Sequence, residues 1–256
     1  MGVLILEQII FLGTASAISN KNQENSHLFI ESGDIKILVD CPGNPISRLI
    51  KANVDPLEVT DLVITHFHAD HVSGLPLLLM DLWLMGRKTP LNIYGLEFTL
   101  DHAEALMELF DWKKWPDFFK VNFHNVKEIE NVTIINNEWL TVTTSPGKHL
   151  VPSIGLKFEF PVSKKVVVYS SDTEPNQMIS NLAKNSDILI HESAGSAFGH
   201  TSPEYCGKIA HQENVRKLFL IHYSNNLSEE QLVSQARKHF DKDVVVAKDL
   251  MVIELN

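Results

Sequence analysis

Apolar runs of strand length recur at short intervals along the chain. LEQIIFLG is followed by HLFIES and IKILVD, two alternating runs joined by Gly33-Asp34, a two-residue connection suited to a hairpin. DLVIT is a further short strand. HVSGLPLLLMDLWLMG is apolar over helix length, with Pro76 tolerable in its first turns and Gly86 as its stop. LNIYG predicts another strand, and LEFTLDHAEALMELF a helix with apolar positions three and four apart.

The second half repeats the mixture. NVTIINNEWLTVTTS, IGLKFEF and VVVYSSD predict strands, QMISNLAKN a helix, DILIHES a strand and PEYCGKIAHQEN a helix. KLFLIHYS is then a strand, SEEQLVSQARKHF a helix, and VVVAKDLMVIEL the closing apolar run. There is no convincing sequence repeat, but both halves run hairpins into strand and helix alternation, the order of an α/β sandwich of two sheets with helices outside. With 256 residues and no low-complexity linker, a single domain over 1-256 is expected. DWKKWPDFFKVNF, residues 111 to 123, concentrates Trp112, Trp115, Phe118, Phe119 and Phe123 around a proline; core packing of a connector is the simpler reading, a lid or a homodimer contact the sharper one.

Composition narrows the partners. A formal net charge of -10 with no basic stripe does not suit long-range attraction to a polyanion. Cys41 and Cys206, the two cysteines, are far apart, which excludes a disulfide framework or a thiolate zinc knuckle and fits a reducing, cytoplasmic location. The opening MGVLILEQIIFLGTASA has the apolar-then-small profile of a secretory signal, but it lacks a basic start and Glu7 interrupts it, so a first strand ending at Gly13 is the better reading. No apolar run reaches the length of a membrane span, so no membrane partner is expected.

The chemistry is concentrated in THFHADH, which places His66, His68, Asp70 and His71 within six positions directly after the DLVIT strand. Imidazole and carboxylate are the side chains that hold zinc, and hydrolytic sites with two metals need several such ligands plus a water. A loop is expected here, because alternating residues of a helix point to different faces. Further candidates stand just past other apolar strands: His149 after TVTTSPGK, Asp172 after VVVYSS and His222 after KLFLI.

These residues carry a family resemblance. THFHADH with the distant His149, Asp172 and His222 resembles the metallo-β-lactamase superfamily, whose fold is a four-layer αββα sandwich with metals at one edge. FLGTAS, ILVDC, KHLVPSIGLKFE, YSSDT, the HES segment at His191-Glu192 and GHTSPE around His200 are similar to the ribonuclease Z branch, over nearly the whole chain. The resemblance implies two divalent metal ions, with His66, His68 and His149 on one, Asp70, His71 and His222 on the other, and Asp172 bridging. It further implies a shared water whose lowered pKa makes a metal-bridging hydroxide available as nucleophile, with Asp70 orienting it or taking the proton that the water gives up. Zn2+ suits these ligands, and Mn2+ or Fe2+ can occupy the same set. His200 is implied to protonate or steady the leaving oxygen, with Glu192 orienting it. Asp40 reads as a supporting or loop-capping group, and His27, His102, His124, His211 and His239 as structural or exposed.

Two departures matter. tRNA-processing members carry an arm between the residues matching His149 and Asp172, whereas here only 23 positions separate the two, room for a strand hairpin. Pro42-Gly43-Asn44-Pro45 also stands where those members have a Gly, Glu and Thr-containing stretch. The expectation is therefore a binuclear metal-dependent hydrolase, a phosphodiesterase of ribonuclease Z-like type acting on a small nucleotide-type ester, with RNA not favoured. The alternatives are a tRNA 3′-processing endoribonuclease, a lactonase, a sulfatase-type ester hydrolase or, from another class, a non-catalytic metal-binding module.

Overall fold

The computed structural model describes residues 5–256, so the first four residues of the signal-like opening lie outside the described residues. The rest of that opening forms strand β1 (Glu7–Gly13), and the hairpin β2 (His27–Ser32) and β3 (Ile35–Val39) comes next, turning at Gly33 with φ +55, the left-handed first position that such a two-residue turn needs. The chain continues through α1 (Pro45–Lys51), β4 (Asp61–Val63), α2 (Ala69–Val72), α3 (Leu75–Leu84), β5 (Leu91–Leu96), α4 (Glu97–Glu108) and β6 (Val121–Val126). The second half comprises β7 (Val132–Asn136), β8 (Thr141–Pro146), β9 (Ile154–Phe160), β10 (Lys165–Tyr169), α5 (Gln177–Ala183) and β11 (Ile188–Glu192). It ends with α6 (Pro203–Gln212), β12 (Lys217–Ile221), α7 (Glu229–Ala236), β13 (Asp243–Val246) and β14 (Val252–Glu254).

Among the described residues two seven-stranded sheets result, one in the order β14-β1-β2-β3-β4-β5-β6 and the other β13-β12-β11-β10-β9-β8-β7. Their strands are apolar on both faces because both faces are covered. In β1, Ile9 and Phe11 enter the core between the sheets while Ile10 and Leu12 face the helices; in β12, Phe219 and Ile221 point inward while Leu218 and Leu220 pack outward. The middle core thus has a flanking core on either side, one against α1, α3 and α4 and one against α6 and α7. This is the four-layer αββα sandwich expected from the sequence.

The local differences have identifiable causes. The long apolar helix splits into α2 and α3 at Gly74, whose N–H donates to the Cys41 carbonyl at 2.8 Å and whose added Cβ would stand 2.5 Å from that oxygen. The ligand run is therefore not wholly a loop: His68 caps α2, and Asp70 and His71 lie within that single helical turn. Helix α1 was not anticipated, although Asn44 accepts from the Ser47 N–H and Pro45 occupies the first turn, an ordinary start signal. Strand β6 emerges from the end of the aromatic segment, where Trp112 and Phe119 are buried in the helix-side core and Trp83 stacks on Trp115 at 5.2 Å. NVTIINNEWLTVTTS forms two strands, β7 and β8, and VVVAKDLMVIEL divides into β13 and β14 in different sheets.

Strands β3 to β6 run parallel, as do β10 to β13, while β8 and β10 are each antiparallel to β9. The carboxyl ends of β8, β10, β11 and β12 consequently share one edge of their sheet. That edge meets the end of β4 through a backbone bond from Ile154 N–H to Thr65 O, 3.1 Å.

Candidate metal centre

At this shared edge the structure brings all seven expected ligands together. His66, His68 and His149 form one group whose ligand atoms lie within 4.8 Å of one another, and Asp70, His71, Asp172 and His222 form a second. Asp172 lies between them: its Oδ2 is 3.9 Å from His66 Nε2 and 4.0 Å from His149 Nε2 on one side, and 3.6 Å from His71 Nε2 and 3.2 Å from His222 Nε2 on the other. Asp70 Oδ2 is 3.5 Å from His222 Nε2 and 3.6 Å from His71 Nε2.

The surrounding backbone and side chains set the orientation of these rings. Asp40, buried at the end of β3, accepts from Thr65 N–H at 2.8 Å, from Thr65 Oγ1 at 2.9 Å and from His71 Nδ1 at 2.8 Å. One carboxylate thereby fastens the start of the ligand run and selects the His71 tautomer that leaves Nε2 free. His149 Nδ1 donates to the Gly199 carbonyl at 2.7 Å, again leaving Nε2 bare, and that nitrogen faces His68 Nδ1 at 3.0 Å. Asp40, Ser171 and His222 have φ of 62, 52 and 53, so three of the turns that deliver this site are left-handed at residues other than glycine, the kind of local strain that concentrates at functional sites.

The electrostatics agree with a cation site. Burial pushes His66, His68 and His149 below the ordinary histidine range, which keeps them neutral, whereas at His71 the carboxylates of Asp172 and Asp40 outweigh burial and push the ring well above that range. Asp172 is completely buried, which alone would raise its pKa, but His222 and His71 outweigh the burial and hold it well below the usual carboxylate range. Asp70 is likewise held down, by His222 and His71 against its burial. His66 Nε2, His71 Nε2 and Asp172 Oδ1 are buried without a hydrogen-bond partner among the described residues. Such groups are costly unless something satisfies them, and neutral imidazoles with ionised carboxylates are the donor set of a divalent transition metal. The residues present fit the metals that the sequence motifs imply.

His200 borders the same centre. Its Nδ1 is 3.2 Å from Glu192 Oε1 and 4.0 Å from Asp172 Oδ2. Glu192 is fully buried at the end of β11 and also accepts from the N–H groups of Thr201 at 2.8 Å and Ala194 at 2.9 Å. Burial lowers the His200 pKa, but the hydrogen bond and charge of Glu192 overcome it, and the net shift is upward. His200 also lies within reach of a common ion with His149 and Asp172, and with Glu192 and His222.

A family model of the anti-Pycsar protein Apyc1 matches residues 7–245. The chain belongs to the Apyc1 family. Ribonuclease Z of Methanothermobacter thermautotrophicus is 26% identical to this Apyc1-family chain, over 97% of it and 96% of the relative. Among solved structures, the metallo-β-lactamase fold protein YhfI of Bacillus subtilis superposes with a TM-score of 0.82 at 21% identity, covering 98% of this chain and 100% of that one. The short form of human tRNase Z gives 0.80 at 22% identity, covering 97% and 99%. The chain is thus similar to ribonuclease Z in sequence and shares the metallo-β-lactamase fold, as its motifs indicated, while the Apyc1 family name was not suggested by them.

The remaining histidines of this Apyc1-family chain lie where its sequence suggested. His102, His124, His211 and His239 are exposed and away from the centre, and His27 is buried with Nδ1 bonded to the Asn25 carbonyl. No described helix is long and apolar enough to cross a membrane. Sequence reasoning missed Gly199 and Glu174: Glu174 Oε1 accepts from Gly199 N–H at 3.1 Å, so it braces the residue that orients His149. The glycine of GHTS was the available signal, but its partner 25 residues away was not legible.

Proposed function

We propose that this chain is a metal-dependent phosphodiesterase of ribonuclease Z-like type, holding two divalent cations and acting on small nucleotide-type diesters. The observation that carries the reading is Asp172, whose one carboxylate lies within 4.0 Å of ring nitrogens from both ligand groups. His66, His68 and His149 would hold one ion, Asp70, His71 and His222 the other, and Asp172 both. Two cations, when bound, supply Lewis-acid charge to the phosphoryl group and make a water nucleophile available near neutral pH. Zinc is the proposed metal, since the imidazole and carboxylate set suits it, although the ligand types alone also admit manganese or iron.

The chain's own groups supply the proton chemistry. Asp70, ionised beside His71 and His222, is the group that orients the attacking water or takes its proton. His200, with Nδ1 engaged by Glu192, has Nε2 as the atom that donates to the leaving oxygen. Glu192 is a positioning residue, fixed by backbone N–H groups on both of its oxygens.

The small-substrate reading rests on what lies between His149 and Asp172, where the segment is taken up by the β9-β10 hairpin and leaves no length for an arm. The net charge of -10 points the same way. The relatives named ribonuclease Z favour RNA as the second reading. Elemental analysis of the purified protein, combined with rates on bis(4-nitrophenyl) phosphate, 4-nitrophenyl phosphate, a lactone, an aryl sulfate, nucleoside diesters and precursor tRNA, tests both. Close to two transition-metal ions per chain and a diester rate above the monoester rate are expected. Faster lactone or sulfate cleavage would reassign the bond, and efficient, salt-insensitive 3′ cleavage of precursor tRNA would overturn the small-substrate reading.

A further inference from the structure

Beside His200 the surface opens into a recess of about 380 Å³ between the Glu174-Pro175 turn, residues 196 to 198 and the start of α6. Glu174, Ser196, Phe198, His200, Ser202 and Tyr205 line it. Its volume falls within the range of small-molecule sites, ~300–1,000 Å³. Apart from His200, these side chains take no part in the metal groups or in the proton steps described above.

The wall of this recess is unusual in what it displays. Phe198 is 77% exposed, yet it sits on a loop tied down on all sides: Gly195 N–H donates to Thr201 O at 3.1 Å, His200 N–H to Ala197 O at 3.0 Å, and Gly199 N–H to Glu174 Oε1 at 3.1 Å. A large apolar ring is therefore held out to solvent by ordered backbone. Tyr205, from the first turn of α6, is also partly exposed, with its N–H bonded to Ser202 Oγ at 3.3 Å. An isolated exposed aromatic needs no explanation, but two lining one recess that opens onto a candidate general acid do.

The charge of the recess selects among ligands. Lys148 pairs with Glu174 at 2.6 Å, and this contact, with the Gly199 N–H, holds the Glu174 carboxyl below the ordinary range, so the recess presents a carboxylate and two serine hydroxyls. That carboxylate is balanced by the Lys148 ammonium, so the pair offers no net positive charge to hold a second phosphate. A neutral, planar group carrying N–H donors would stack on the rings and bond to the carboxylate.

We propose that this recess is the base subsite of the enzyme, in which the nucleobase of a phosphodiester stacks on Phe198, with Tyr205 as a second wall, while its phosphate lies at the metal centre. The assignment rests on the phosphodiesterase reading above. It makes Phe198 and Tyr205 specificity determinants and leaves the reacting atoms to the residues already named.

The test compares thymidine 3′- and 5′-(4-nitrophenyl) phosphates with methyl 4-nitrophenyl phosphate, which share a leaving group and differ in the presence of a base. Phe198→Ala should lower the kcat/KM preference for the nucleoside esters by about 5- to 100-fold, as expected for one lost base stack, with Tyr205→Ala smaller and Phe198→Leu close to the alanine variant. A preference that stays within about twofold of wild type in Phe198→Ala overturns the subsite. A Phe198→Trp variant gives a reading independent of catalysis: its added fluorescence should be quenched saturably by thymidine and not by methyl phosphate. Wild-type protein inactive on all three esters would refute the phosphodiesterase reading, and absence of thymidine quenching would refute the subsite by itself.

Discussion

His149 Nδ1 donates to the carbonyl oxygen of Gly199 at 2.7 Å, and this bond joins the metal centre to the loop that carries His200. Gly199 has φ +88, and a Cβ added to it would stand 2.9 Å from His149 Nδ1. The position therefore requires glycine twice over, for its backbone conformation and for the closeness of the ring. Gly199→Ala is expected to displace His149 and to lower metal affinity by roughly 10- to 100-fold, the usual consequence of disturbing a group that orients a ligand. Metal titration checks this, and a variant with unchanged affinity would show that the contact is incidental.

Asp40 allows a more selective perturbation. Asparagine tolerates the left-handed backbone found there (φ 62) and keeps the shape of the side chain, while removing the charge that faces His71 Nδ1. Asp40→Asn should retain the fold but weaken metal binding by about 10- to 100-fold. Thermal unfolding of the metal-depleted protein together with metal titration separates the two effects. A large loss of stability with unchanged affinity would mean that Asp40 serves mainly the Thr65 turn.

That the candidate ligands gather at one edge was legible in the sequence, because His66, His149, Asp172 and His222 stand just past short apolar strands and parallel strands deliver their ends to one edge. His66, Asp172 and His222 could be read this way without coordinates. Contacts over long separations could not. Gly74 breaks the apolar helix because it meets the Cys41 carbonyl, a strand end distant in the chain. VVVAKDLMVIEL reads as one run, but Asp249 is held by Thr14 Oγ1, the Glu24 N–H and Arg48, and Leu250 turns left-handed with φ 64, sending β14 to the other sheet. β6 was hidden for another reason: its VNFHNV sequence is half polar because it is an edge strand with partly exposed side chains.

Two buried histidines outside the centre predict acid sensitivity. His27 is lowered to about 3 and His191 to about 4, both chiefly by burial, and each donates from Nδ1 to a carbonyl while Nε2 lacks a partner. Their folded-state pKa values lie below the unfolded value near 6.5, so the unfolded chain binds the extra protons. Their stabilising contribution is present above that pH and is lost as pH falls toward 4 and then 3. Each should add about 1.4 kcal/mol per pH unit to the slope of stability below the unfolded value. Urea unfolding of wild type and His27→Asn between neutral and acid pH measures this as a difference in slope. Parallel curves would show that His27 takes up its proton without unfolding the chain.

The final prediction separates proton transfer from metal binding at His200. Its Nδ1 faces Glu192 Oε1 at 3.2 Å, so in the general-acid role His200→Ala should leave the metal content intact and lower kcat by roughly 10²- to 10⁴-fold on an unactivated diester. A nitrophenolate leaves without needing a proton, so the loss should shrink on bis(4-nitrophenyl) phosphate. Glu192→Gln should reproduce part of the effect and move the alkaline limb of the pH-rate profile to lower pH, because the carboxylate that raises the His200 pKa against its burial is gone. The comparison of the two diesters decides the role: equal losses on both would exclude general-acid catalysis. Loss of metal in His200→Ala would instead make His200 a ligand, an arrangement that its proximity to His149 and Asp172 permits.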